Sequence, residues 1–164
     1  MYLESIKKLN SSGAPILKYH LSSALKINPT NEALRQLAGM QEPTYLHQCI
    51  GRTQRGGLIY FKDIPEALVD PSLLQNLTEL RVHFHLPLHS EPVNKDFSNT
   101  TDFLKKVIGT IKGSTTPACE LEIETYTWEV LPPSLRSKNV TDQIVSEYRW
   151  VLSELAQQRI EPAP

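Results

Sequence analysis

Residues 80–88 read Leu-Arg-Val-His-Phe-His-Leu-Pro-Leu. Successive side chains of a strand point to opposite faces. In this stretch Val82, Phe84 and Leu86 therefore share one face, and Arg81, His83 and His85 share the other. Two further stretches repeat the pattern. In 120–128, Leu121 and Ile123 oppose Glu122, Glu124, Tyr126 and Trp128; in 16–22, Leu17, Tyr19 and Leu21 oppose Lys18, His20 and Ser22. A parallel sheet covered by helices on both faces should be almost wholly apolar. These strands are half apolar and half ionisable. A barrel with helices outside and a polar lumen inside meets that description, and an open antiparallel sheet with one solvated face gives the same alternation.

The spacing of the other elements favours the barrel. Helices are expected over 2–9, 32–39, 101–111 and 140–158, with short helices or turns at 64–68 and 71–77, and further strands over 45–50 and 58–61. Gly51–Gly57, with Arg52 and Arg55, reads as a polar surface loop, and 89–100 as a long loop. The last helix carries Ile144, Val145, Tyr148, Val151, Leu152 and Leu155 as its apolar stripe. Strands that alternate with helices predict parallel βα units. The expected fold class is thus α/β, the C-terminal half of a TIM (β/α) barrel, with residues 1–164 as one partial barrel domain; a closed eight-stranded barrel takes about 250 residues. A helix ahead of the first strand fits a cut inside a larger domain.

Composition excludes several classes. The net charge of −1 gives no basic surface for nucleic acid or an anionic membrane. No apolar run approaches the roughly 20 residues that cross a bilayer. The N-terminal stretch is amphipathic and lacks the basic-then-apolar layout of an export signal, so a cytoplasmic location is expected. Cys49 and Cys119 are far apart and in no CxxC pattern, which argues against a disulfide framework. The sequons at Asn10, Asn76, Asn99 and Asn139 are read as chance occurrences.

The ionisable faces suggest a metal site. Imidazole and carboxylate ligands suit zinc, manganese or iron, and barrel sites gather at the carboxyl ends of strands. His20, His83, His85 and Glu124 would meet there. His20, His47, His83, His85 and His89 all fall in or just after expected strands. The bland reading is a hydrogen-bonded polar interior or a solvated sheet face.

Five strings carry a resemblance: KYHLSSALKINPTNEAL (18–34), EPTYLHQCIGR (42–52), RVHFHLPLH (81–89), LEIETYTWEVLP (121–132) and VSEYRWVL (145–152). Together they resemble the EboE metabolite-traffic family, which is similar to the xylose isomerase-like, or sugar phosphate isomerase/epimerase-like, TIM barrels. The resemblance implies a barrel with a divalent metal, zinc or manganese. It places Glu124 as a terminal-strand glutamate ligand, His20 as a strand histidine and His47 as a hairpin ligand; His83 and His85 rest on strand geometry alone. It further implies an earlier Glu and an Asp-x-x-His group, which belong to the upstream half of such barrels. Three functions follow as alternatives. In the first, a metal polarises the carbonyl of a sugar-like substrate for isomerisation or epimerisation, with Glu124 or Glu122 as ligand or proton-transfer base. Arg81 would bind a phosphate or carboxylate, and Tyr126 and Trp128 would stack on the sugar or cap the core. In the second, the same residues bind a small polar metabolite without turnover. In the third, the chain acts as a homodimer or with a complementary N-terminal half.

Overall fold

The computed structural model describes residues 2–92, 94–111, 119–124, 128–131, 136 and 139–161. The chain divides into two compact units. One comprises residues 1–23, 87–89 and 101–164, the other 24–86 and 90–100.

The first unit opens with α1 (Tyr2–Ser11). The hydroxyls of Ser11 and Ser12 donate to the Lys8 and Leu9 carbonyls at 3.0 and 2.8 Å and satisfy the end of the helix. Gly13 follows at φ +76°, a left-handed conformation that only glycine adopts without strain. β1 (Lys18–Leu21) then lies parallel to β7 (Glu120–Ile123), with His20 opposite Glu122 and Leu21 opposite Ile123. The helices α5 (Thr101–Ile111) and α6 (Val140–Gln157) complete the unit. Asn139 caps α6, its Oδ1 accepting the Asp142 N–H at 2.9 Å. The core joins Leu21, Leu88, Leu104, Ile108, Val151 and Leu155, with Tyr19, Leu121, Ile123 and Trp150 half-buried against it.

The second unit is built on a five-stranded sheet. Its elements are β2 (Ser23–Ile27), α2 (Asn31–Ala38), β3 (Cys49–Thr53), β4 (Leu58–Phe61), α3 (Ile64–Ala67), α4 (Pro71–Gln75), β5 (Leu77–Leu86) and β6 (Phe97–Asn99). The strand order is β4-β3-β5-β2-β6. β3 pairs antiparallel with both β4 and β5, and β2 antiparallel with β6. Leu80, Val82 and Phe84 of β5 are buried, as are Leu25 and Ile27 of β2 and Ala33, Leu34 and Leu37 of α2. Burying a side chain the size of Phe84 contributes roughly 1.5–3 kcal/mol. The N-cap Thr30 accepts the Ala33 N–H at 3.2 Å and donates its hydroxyl to Asp96 Oδ2 at 3.1 Å, which ties α2 to the segment before β6.

This is not half of a TIM barrel. The sheet is mostly antiparallel, and β1–β7 forms a small parallel pair of its own. The turn after β3 is decisive. Gly56 at φ +82° and the Thr53 N–H donating to the Gly57 carbonyl at 2.9 Å fold β4 straight back on β3, and a tight hairpin can only join antiparallel strands. Gly51 and Arg52, expected in a loop, are strand residues. The helices α3 and α4 are single turns of four and five residues. They are too short to act as the crossover helices of βα units.

α6 differs from expectation on its buried face. Gln143, Glu147, Val151, Glu154 and Leu155 face inward. Val145, Tyr148 and Leu152, assigned to the apolar stripe, are 40%, 51% and 51% exposed. A reading by hydrophobicity alone rotates this helix, because its interior side is partly polar. The two faces separate in a stability measurement. Leu155→Ala should lower the denaturant stability of the first unit by about 2–5 kcal/mol, whereas Leu152→Ala should stay within about 0.5 kcal/mol. A larger loss in Leu152→Ala than in Leu155→Ala would show that the helix faces the other way.

Candidate functional site

In the second unit two carboxylates shape a cleft by binding main-chain amides. Glu42 accepts the Thr44 N–H at 2.8 Å and the Tyr45 N–H at 2.5 Å, folding residues 42–46 into a tight rim. Asp63 Oδ1 accepts the Ile64 N–H at 2.8 Å, as the N-cap of α3, and also the His47 N–H at 2.9 Å. One aspartate therefore starts a helix and anchors the strand entering the sheet. Between these segments lies an open cleft of about 470 Å³, lined by Glu42, Thr44, Tyr45, Leu46, Asp63 and Pro65 among others. Tyr45 and Leu46 are exposed there.

Behind the cleft, His47 is buried and stacks on Phe84 with ring centroids 5.1 Å apart and planes 29° from parallel. Burial pulls its pKa down, and the neighbouring His83 adds to this against the charges of Glu42 and Asp63. Its Nε2 has no hydrogen-bond partner among the described residues. Cys49 donates its thiol to the His47 carbonyl at 3.2 Å. Burial, then the charges of Asp63 and Glu66, push that thiol up to about 12, so it remains protonated and is no nucleophile.

The expected site residues fall into separate places. His83 and His85 project from one face of β5, their rings 4.8 Å apart and tilted by 40°. His83 is exposed, with Nδ1 3.1 Å from Gln48 Oε1, while His85 is buried. Arg81 is held by Glu79, Nε to Oε1 at 2.6 Å, so its guanidinium serves an ion pair on its own strand. In the first unit, parallel pairing sets His20 Nε2 3.3 Å from Glu122 Oε2. Lys18 donates to the same carboxylate at 2.9 Å, and this hydrogen bond chiefly holds Glu122 below the usual carboxylate range. His20, Lys18 and Glu122 are all substantially exposed, so the pairing adds little stability. Glu124 follows β7, half-buried, with its N–H donating to the Leu21 carbonyl at 3.1 Å. Trp128, half-buried in a single 3₁₀ turn, lies under the Arg136 guanidinium at 5.8 Å. Tyr126 lies outside the described residues.

The expected metal ligands are distributed over both units. His20 and Glu124 belong to one unit and His47, His83 and His85 to the other. Among the described residues no three His, Cys, Asp or Glu side chains are grouped to hold a metal ion. Of the three histidines in the second unit, His47 stacks on the ring of Phe84, and His83 is engaged by Gln48.

Glu42 and Asp63 were not among the expected site residues. Asp63 had a legible signal: an aspartate directly before Ile64-Pro65 is a helix N-cap followed by an early proline. Its second bond, to the His47 amide, depends on tertiary placement. Comparison with protein-family models, curated proteins and solved structures found no significant match. No helix among the described residues is long and apolar enough to cross a membrane.

The depressed His47 pKa has a definite sign. Folding favours the neutral ring, so this contribution is complete above the ordinary value of 6.5 and is lost as pH falls through the lower folded-state value. His47→Phe keeps the stacking partner and removes the titration. Denaturation midpoints taken from pH 7 down to pH 4 should fall less steeply in His47→Phe than in the native protein. Superimposable acid limbs would show that His47 is not buried neutral.

Proposed function

We propose that this chain is an EboE-like metabolite-handling protein that binds a small polar, hydroxyl-bearing metabolite in the cleft between residues 42–46 and 63–65, in the cytoplasm. The observation that carries this reading is the cleft itself. Two carboxylates fixed by main-chain amides stand beside an exposed tyrosine in a volume of about 470 Å³, within the range of small-molecule sites. Carboxylate oxygens accept from sugar-like hydroxyls, and an aromatic face packs on the C–H side of such a ligand. The resemblance supports the same place: the string 42–52 supplies the rim, His47 and β3, and the string 81–89 contributes Phe84 behind them. Binding without turnover is the form these residues support. Cys49 is a buried neutral thiol, and Asp63 already accepts two main-chain amides through one oxygen.

A panel of polyols, sugars and sugar phosphates, scored by thermal shift and calorimetry on the whole chain, tests this. At least one member should raise the melting temperature and bind the native protein. Tyr45→Ala should weaken it about tenfold or more, a loss of about 1.4 kcal/mol, and Glu42→Gln should do likewise, with circular dichroism unchanged. A panel without any binder, or a binder indifferent to both substitutions, overturns the assignment.

A further inference from the structure

α6 buries a carboxylic acid whose environment is unusual. Glu147 is 2% exposed and lies one turn before Val151 of the core. Its Oε1 accepts the Leu88 main-chain N–H at 3.0 Å. Its Oε2 is buried and has no hydrogen-bond partner among the described residues. The Leu88 carbonyl is also held by a side chain, accepting the Thr101 hydroxyl at 3.1 Å. Thr101 has spent its one proton there, so the Ser23 hydroxyl, 3.1 Å away, must be the donor in that pair. Both polar main-chain groups of a fully buried residue thus rely on side chains from elsewhere, and one of these is ionisable.

The charged groups on the neighbouring elements have partners of their own or exert no resolved effect on this carboxyl. Glu154, further along α6, pairs with Lys105 of α5 at 3.3 Å. On β7, Glu120 and Glu122 pair with Lys18, and Glu124 follows the strand. His89 adjoins Leu88, and burial lowers its pKa. Among the described residues none of these acts on Glu147, whose pKa burial raises to about 7 against the opposing Leu88 hydrogen bond.

We infer that Glu147 is a proton-controlled latch on the 87–89 segment. As the neutral acid it stays inside and holds the Leu88 amide. As the carboxylate it carries a charge whose second oxygen accepts no hydrogen bond among the described residues. That charge draws in water or leaves, and the Leu88 N–H is released. A buried group that binds its proton more tightly when closed than when open loses the closed state as pH rises from the open-state pKa to the closed-state one.

Amide hydrogen exchange on the full-length, isotope-labelled chain reads the latch directly. After correction for intrinsic exchange, protection of the Leu88 amide should fall about fiftyfold between pH 5 and pH 7.5. Glu147→Gln keeps a neutral acceptor, so its Leu88 protection should remain high and flat across that range. A flat profile in the native protein, or an equal fall in Glu147→Gln, overturns the inference. Carbon-detected titration of the Glu147 carboxyl in the native protein is independent of whether the variant folds. Its midpoint should lie near 7, and a midpoint in the range of exposed glutamates overturns the latch.

Discussion

The antiparallel register of β3 on β5, with Cys49 opposite Val82, decides where the chemistry of the second unit can lie. A slip of one residue in such a ladder moves every side chain to the other face. In the register adopted, Val82 and Phe84 go inward and His83 outward. The same ladder extends one step further through the His83 N–H, which donates to the Gln48 carbonyl at 2.8 Å. This brings His47 level with Phe84, so that an imidazole rather than an aliphatic side chain closes the core beneath the cleft. At the other end a bulge between Arg52 and Thr53 shifts the pairing so that Thr53 meets Leu77. The bulge falls where the chain turns into the hairpin, consistent with the stronger local twist such irregularities introduce.

What the sheet places, two acidic side chains fasten. Asp63 and Glu42 each accept two main-chain amides, and neither forms an ion pair with a cation among the described residues. A carboxylate that accepts two main-chain amides fixes the local chain path more firmly than an exposed ion pair of the kind His20 and Glu122 form. The rim is therefore held by the backbone, and the side chains of Tyr45 and Leu46 are left to face the opening.

Much of the local structure was legible. The alternation in 80–88 gave the strand and its buried face, and parity placed His20 and Glu122 on the polar faces of their strands; that these strands pair and bring the two into contact comes from the fold. Direction was not legible. A period of two is identical in parallel and antiparallel sheets, and the deciding signal was the 51–57 stretch. Its Gly56-Gly57 pair marks a tight turn between two short strands, but its polarity suggested a longer loop. α6 failed for a different reason. Hydrophobicity points to the side bearing Val145, Tyr148 and Leu152, while the interior takes Gln143 and Glu147, the latter as the acceptor for the Leu88 amide. Tertiary demand for a hydrogen bond overrode the apolar stripe, and nothing local in the helix sequence records that demand. The metal shell was expected from residue types that do occur; among the described residues no three of them are grouped to hold an ion.

The two buried ionisable side chains press on stability from opposite sides of neutrality. In the second unit, folding holds His47 neutral, and acid works against it. In the first, folding holds Glu147 protonated, and alkali works against it. A rise from the ordinary 4.5 to about 7 represents about 3 kcal/mol withdrawn once the carboxyl must ionise inside. Neither group needs to titrate for packing alone: a phenylalanine stacks on Phe84 as well as an imidazole does, and a glutamine offers Leu88 the same acceptor. The titration is the property these residues add: acid opposes the neutral His47 in one unit, and alkali opposes the protonated Glu147 in the other.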